Sequence, residues 1–222
     1  MTSARKAGRP RDEDLVARRR AEILDTAATI FARLGYRQTD VQEVADALEV
    51  SKGTIYRYFP SKEVLFFQAV DRGMRRLQEN VDHAAQDFDD PLDQVAAAIT
   101  AYMAFFDAHP EFVELLMQER AEFKSRKKPT YFDYQEANRD RWMALGKQLI
   151  ATGRMRQMPV ERMMDVVGDL LYGAIFTNLF AGRRKSFEEQ ARDILDVVFY
   201  GMLSENERHK LNNTRPAGGD TT

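Results

Sequence analysis

Between Ser51 and Phe59 the chain places Lys52, Gly53, Thr54, Tyr56 and Tyr58 within one short stretch. Each suits a polyanionic partner in its own way. An ammonium pairs with a phosphate, and hydroxyls bond phosphate oxygens or base edges. A glycine, having no Cβ, lets another molecule approach the backbone closely. This is recognition chemistry rather than bond-making chemistry. Three consecutive core helices with a solvated face would account for the apolar positions nearby. They would not account for Lys, Thr, Tyr and Tyr where Glu, Lys and Gln are the usual surface choices.

Catalytic patterns are poor by comparison. The histidines are His83, His109 and His209, and none sits in a His-Glu-x-x-His arrangement. There is no phosphate-binding glycine loop and no dinucleotide glycine cluster. Cysteine is absent, which removes disulfides, thiolate nucleophiles and cysteine-based zinc sites and fits a reducing cytoplasm. Solvated helix faces explain the 35 acidic residues. No enzymatic activity, metal or cofactor is expected.

The elements that must position the recognition residues follow from capping and periodicity. Thr39 can cap a helix beginning at Asp40, with Gln42 completing a capping box. Val41, Val44, Ala45 and Leu48 then form an apolar face. Glu49-Val50 makes a turn, with Val50 plugging the corner, and Ser51 caps a second helix. In that helix Ile55 and Phe59 lie four apart and point inward, leaving the five residues above largely outside. Gly53 costs a helix interior about 1 kcal/mol against Ala. Close approach of the backbone to a phosphate or base edge would compensate. Pro60 ends the helix and Ser61 caps the next.

The run Ser51-Lys52-Gly53-Thr54-Ile55-Tyr56-Arg57-Tyr58-Phe59, followed by Ser61-Lys62-Glu63-Val64-Leu65, closely resembles the signature of the TetR (tetracycline-repressor-like) transcription regulators. The resemblance covers roughly residues 15–70. One departure is Glu49, where such families usually carry Gly at the turn, preceded by Leu48 where a smaller residue is usual. The resemblance implies a helix-turn-helix that reads double-stranded operator DNA in the major groove. Lys52, Thr54 and Tyr56 are expected at phosphates and base edges, Gly53 by backbone approach, and Thr39, Tyr58 and Lys62 on phosphates. It also implies a C-terminal helical domain whose pocket binds a small molecule that releases DNA. A regulator without a ligand switch is the alternative, and a well-filled core would favour it.

Charge is unevenly distributed. Net charge is −2, yet residues 1–62 carry 12 Lys/Arg against 9 Asp/Glu. Arg5, Lys6, Arg9 and Arg11 lie in the first eleven residues with no acid among them. Gly8-Arg9-Pro10-Arg11 resembles an AT-hook-like minor-groove arm, in which Arg9 would enter a narrow groove. A merely solubilising tail is an equal reading. With 44% apolar and 31% charged residues, the chain suits a soluble, helix-rich protein. It lacks a run of about 18 apolar residues, so no membrane span is expected.

The fold class expected is all-α. A basic, disordered arm (1–14) precedes a three-helix helix-turn-helix domain (15–62). A long helix joins this to a helical regulatory and dimerisation domain (63–204), and a disordered tail (205–222) follows. The first helix runs from about Leu15 to Leu34, with Gly35 ending it. The helix from Ser61 shows apolar residues from Phe67 to Phe88 at unbroken spacings of three and four. Further helices are expected over 91–108, from Pro110, over 130–151, over 160–181 and over 187–204. Tyr102, Phe106, Met117, Trp142, Met143, Tyr172 and Phe176 are the candidates for an effector pocket, although aromatic and Met residues at such spacing are far more often plain core. His109 reads as a helix cap. Asn178, inside an apolar helix, needs a partner if buried. The last two helices are apolar on more than one face, which predicts a homodimer through a four-helix bundle unless both lie at the centre of the monomer.

Overall fold

A computed structural model describes residues 12–182 and 185–201. All regular structure among the described residues is helical. The helices are α1 (Asp12–Leu34), α2 (Val41–Ala47), α3 (Lys52–Tyr58), α4 (Lys62–Gln86), α5 (Pro91–Ala108), α6 (Glu111–Glu122), α7 (Thr130–Ala151), α8 (Val160–Ala181) and α9 (Phe187–Tyr200). Helix α1 starts at Asp12, three residues before the expected Leu15, and the acids Glu13 and Asp14 in its first turn suit the positive end of a helix dipole. Arg9 and residues 205–222 lie outside the described residues, as do residues 202–204 of the last expected helix.

The N-terminal bundle closes around Ile23, Ala27, Phe31, Val44, Ala45, Ile55, Phe59 and Phe66, all buried. Gly35, at φ +83°, ends α1 with its N–H donating to the Phe31 carbonyl at 2.8 Å. The cap of α2 is one residue later than expected. Asp40 accepts from the Gln42 N–H at 2.8 Å, and Glu43 accepts from the Asp40 N–H at 3.1 Å. Thr39 does not cap, because its hydroxyl turns back to donate to the Gly35 carbonyl at 2.8 Å.

The turn between α2 and α3 has Glu49 at φ 53°, the one positive-φ residue other than glycine among those described. The Glu49 N–H donates to Asp46 O and the Val50 N–H to Ala45 O, the paired bonds that satisfy a helix C-terminus when the chain turns left-handed. Ser51 and Ser61 cap α3 and α4 by accepting from Thr54 N–H and Val64 N–H.

Helix α4 is the strut between the two halves. It stops at Gln86, short of the expected Phe88, which is exposed. At its N-terminal part, Phe66 and Phe67 join Phe31, Tyr36 and Phe123 in one aromatic cluster that ties α1, α4 and the end of α6 together. Arg72 reaches Asp25 of α1 through two bonds, 2.7 and 3.0 Å. Further along, the Phe112 ring of α6 sits where Gly73 has no side chain. A Cβ there would lie 2.2 Å from the ring.

Helices α5 and α7 begin and end where the sequence predicts, as does α8, which Gly182 ends at φ 56°. Ser186 and Glu189 form the expected capping box of α9. The reading of α8 and α9 as central within the monomer is not what the chain shows. Val166, Leu170 and Phe180 of α8 and Val197 and Tyr200 of α9 are exposed, Phe180 at 71%. Helix α8 is long and apolar enough by composition to cross a membrane. Asp165 on that helix, however, pairs with Arg139 at 2.9 Å, and Ile175 is buried in the protein core.

Candidate functional site

Two regions carry the residues singled out by type and spacing. The first is the outer surface of α3. Ile55 and Phe59 are fully buried, which fixes how the short helix is rolled. Arg20 of α1 clamps its end, donating to the Tyr58 carbonyl at 3.0 Å and stacking on the Phe59 ring at 4.6 Å. Gly53 and Tyr56 are therefore exposed, and Lys52, Thr54 and Tyr58 half-buried. Arg57, also exposed on this helix, was not among the expected contacts, although it stands in the motif itself.

Gly53 has no structural excuse. Its φ is not positive, and an added Cβ would meet nothing nearer than Ser51 Oγ at 3.8 Å. Nothing in the fold requires glycine at a position where glycine weakens the helix.

Three expected contacts have internal partners. Thr39 is buried at 2% exposure and its hydroxyl is committed to Gly35, so it offers no group to a phosphate. The Lys62 ammonium donates to the Thr39 and Arg37 carbonyls at 3.0 and 3.2 Å and lies over the Tyr36 ring. One of its three donors remains. Lys52 pairs with Asp40 at 2.5 Å. The Gln42 N–H bond and then this ammonium hold the Asp40 carboxyl below the usual carboxylate range.

The second region is a cavity of about 200 Å³ in the C-terminal half, walled by α4, α5, α7 and α8. Met74, Leu77 and Val81 form the α4 side, Ala98 and Ile99 the α5 side, and Met163, Val167 and Leu171 the α8 side. Of the expected pocket residues, Tyr102 and Trp142 line it. Phe106 is buried behind Tyr102, with ring centroids 5.1 Å apart, and Met117 and Met143 are half-buried away from it. Tyr172 lines a separate cleft, and the Phe176 ring packs against Tyr172 at a tilt, with centroids 4.7 Å apart. Residues of α7 missed from sequence include Tyr131, Gln135, Asn138 and Gly146. With Trp142 and Leu149 they form one stripe of α7 at helical spacing, concealed because half of it is polar.

The polar feature of this wall is a tyrosine pair. Tyr102 and Tyr131 meet hydroxyl to hydroxyl at 3.0 Å, both buried. Burial raises both phenols, Tyr131 up to about 12, so each is neutral and one O–H is free to donate elsewhere. Asn178 faces inward without meeting its requirement, since its side-chain oxygen is buried and unbonded. His109, the C-cap residue of α5, lies 3.0 Å from Arg76 and 3.2 Å from Glu111.

Known proteins resemble this chain in sequence and in fold. Residues 23–69 match the profile of bacterial regulatory proteins of the tetR family. The HTH-type transcriptional repressor KstR2 of Rhodococcus jostii is 28% identical over 193 residues, spanning 84% of this chain and 92% of that protein. The TetR family regulator PfmR of Thermus thermophilus superposes with a TM-score of 0.67 at 26% identity, covering 82% of this chain and 99% of PfmR. The regulator FadR of Bacillus subtilis, solved with stearoyl-CoA, superposes with a TM-score of 0.68 over 82% of this chain and 99% of FadR. At 15% identity that last likeness concerns the fold alone.

Proposed function

We propose, from the match of residues 23–69 to the tetR family of bacterial regulatory proteins, that the chain is a cytoplasmic, homodimeric repressor that leaves its operator when a small molecule fills the C-terminal cavity. Helix α3 enters the major groove, with Lys52, Thr54, Tyr56 and the missed Arg57 at phosphates and base edges. Tyr58 and the remaining donor of Lys62 reach flanking phosphates, and Arg9 reaches the minor groove. Gly53 carries this reading: a helix-weakening residue with no internal reason is accounted for by an external backbone approach. Lys52 would exchange its Asp40 partner for phosphate, or share it.

The dimer follows from the apolar faces of α8 and α9. Exposed Val166, Leu170, Phe180 and Val197 need a cover, and a second copy presents the same residues across a two-fold axis. That axis sets the spacing of the two α3 helices, hence of the half-sites.

The switch runs through α4 and α6. Met74, Leu77 and Val81 of α4 wall the cavity, while Lys62 at its start bonds the α1–α2 turn. Helix α6 reaches the same domain through Gln118, which donates to the Phe31 carbonyl at 2.8 Å, and is followed by Phe123 in the aromatic cluster. An effector that binds one setting of these helices more tightly shifts the population away from the DNA-competent spacing. The cavity speaks against a regulator with no ligand switch.

Footprinting on the DNA upstream of the gene tests this. A two-fold-symmetric protected site is expected, and it should vanish when a cavity-filling probe saturates the protein. Stearoyl-CoA and octanoyl-CoA are the first probes to use. A footprint that no apolar probe alters would refute the switch while leaving the DNA reading in place.

A further inference from the structure

Beyond residue 62 acids outnumber bases, 26 to 21, yet five bases fall between residues 120 and 128 against the one acid Glu122. They belong to the last turn of α6 and to the loop before α7. Two of them hold the loop in place. Arg126 pairs with buried Glu119 at 2.8 Å and lies over the Phe67 ring at 4.6 Å, and Lys128 pairs with Asp133 and Glu136. The same Glu119 oxygen accepts from the Thr130 N–H and hydroxyl, which fixes where α7 begins. Lys124 and Lys127 are left exposed, with no acidic partner among the described residues, and no acid lines the cleft that they rim with Arg120. Unpaired cations held together on an anchored loop repel one another and attract an external polyanion.

The loop is seated beside the N-terminal domain. Phe123, its first residue, packs against Tyr36 of the α1–α2 turn and Phe67 of α4, with ring centroids 4.9 and 4.5 Å apart. Tyr36 in turn carries the Lys62 ammonium 4.8 Å from its ring centroid. Arg37, next in that turn, is 77% exposed and pairs with Glu122 at 2.5 Å. Lys62, Arg37 and the start of the loop therefore form one edge. Lys124 directly follows a ring that stands two contacts from the ammonium read above as a phosphate contact. Helix α7 leaves from this same edge, so its other end lies about 33 Å away.

We propose that Lys124 and Lys127 extend the DNA interface beyond the helix-turn-helix, pairing with backbone phosphates that flank the half-site read by α3. The inference rests on the DNA reading above. One strand offers a phosphate every ~3.4 Å of helix axis, so DNA running past Lys62 presents further phosphates along this edge. Phosphates carry no base identity, so these lysines supply affinity and register without sequence preference. Each phosphate they neutralise releases counterions, which makes the contact readable as salt dependence. Anchorage through Glu119 and Phe67 lowers the ordering entropy that a free loop would lose on binding.

Fluorescence anisotropy with the full chain tests the proposal, on the upstream duplex and on a random duplex across a salt series. K124Q/K127Q should lower the salt slope by about one for each lysine removed. It should weaken both duplexes by the same factor and leave their ratio unchanged. Charge-preserving K124R/K127R should keep the wild-type slope. So should the control K147Q/R156Q, which removes two exposed cations at and beyond the far end of α7. Wild-type slope and affinity in K124Q/K127Q, with the variant folded by circular dichroism, overturns the proposal. An equal loss of slope in K147Q/R156Q overturns it too, because net charge alone would then be the cause. Failure of wild type to bind either duplex removes the DNA reading itself, whereas wild-type binding that K124Q/K127Q leaves untouched removes only the loop contact.

Discussion

At the scale of single residues, the clearest conflict between stability and use is Gly53. Its site is open, helical and unstrained. Replacing it with Ala should stabilise the fold by up to about 1 kcal/mol in denaturant melts and weaken operator binding. A Gly53→Ala protein that is more stable and binds DNA as before would show that the glycine serves nothing outside the chain. Glu49 poses the opposite case. At φ 53° it pays the left-handed penalty of about 1–2 kcal/mol, offset in a Gly variant by about 0.5–1 kcal/mol of extra unfolded-state entropy. Glu49→Gly should therefore raise stability by about 0.5–1 kcal/mol; a lower melting temperature would contradict that account. The need for a left-handed residue here was visible in the sequence as a departure from the usual glycine. Tyr131 supplies a pH signature. Its folded-state pKa is raised to about 12 from an ordinary 10.0, so the fold prefers the neutral phenol. That contribution is complete below pH 10 and is lost as pH rises toward 12. Tyr131→Phe should flatten the alkaline decline in stability, and an unchanged alkaline limb would place the phenol elsewhere.

At the scale of elements, helices with strong punctuation were legible. Pro91, Pro110 and Pro129 at starts, Gly35 and Gly182 at ends, and Ser51, Ser61 and Ser186 as caps all mark boundaries that the chain adopts. The cap of α2 was misplaced because Thr39 and Asp40 are adjacent and both able to cap. Burial of Thr39 against Gly35, a tertiary matter, decides between them. The cavity was harder to read, since Gln135 and Asn138 on its α7 wall are themselves polar and interrupt any apolar stripe. Met143 and Trp142 are adjacent in sequence, yet only the roll of α7 turns Trp142 inward. Packing of α4 on α6 had no sequence signal at all. There Gly73 leaves space for the Phe112 ring, and Gly73→Ala should cost about 1–3 kcal/mol, measured by thermal unfolding. Because α4 walls the cavity and also packs on α1, the same change should also alter how far an effector shifts DNA affinity.

At the scale of the whole molecule, the proposed switch requires three parts to act together: the α3 face, the cavity walled by α4, and the apolar faces of α8 and α9. The last is the one that a single chain leaves most incomplete, with Phe180 at 71% exposure. Phe180→Glu should shift sedimentation from dimer to monomer and, by separating the two recognition helices, lower operator affinity. A variant that sediments as wild type would place the interface elsewhere. The central claim is that α3 reads DNA, and fluorescence anisotropy tests it most directly, using the DNA upstream of the gene over a salt series with Lys52→Ala and Tyr56→Ala alongside. The account predicts binding about a thousandfold or more above random duplex, falling with salt. Lys52→Ala should reduce the salt slope by about one, and Tyr56→Ala should erode the preference for the upstream site. Equal, weak binding to every duplex, unchanged in both variants, would contradict it.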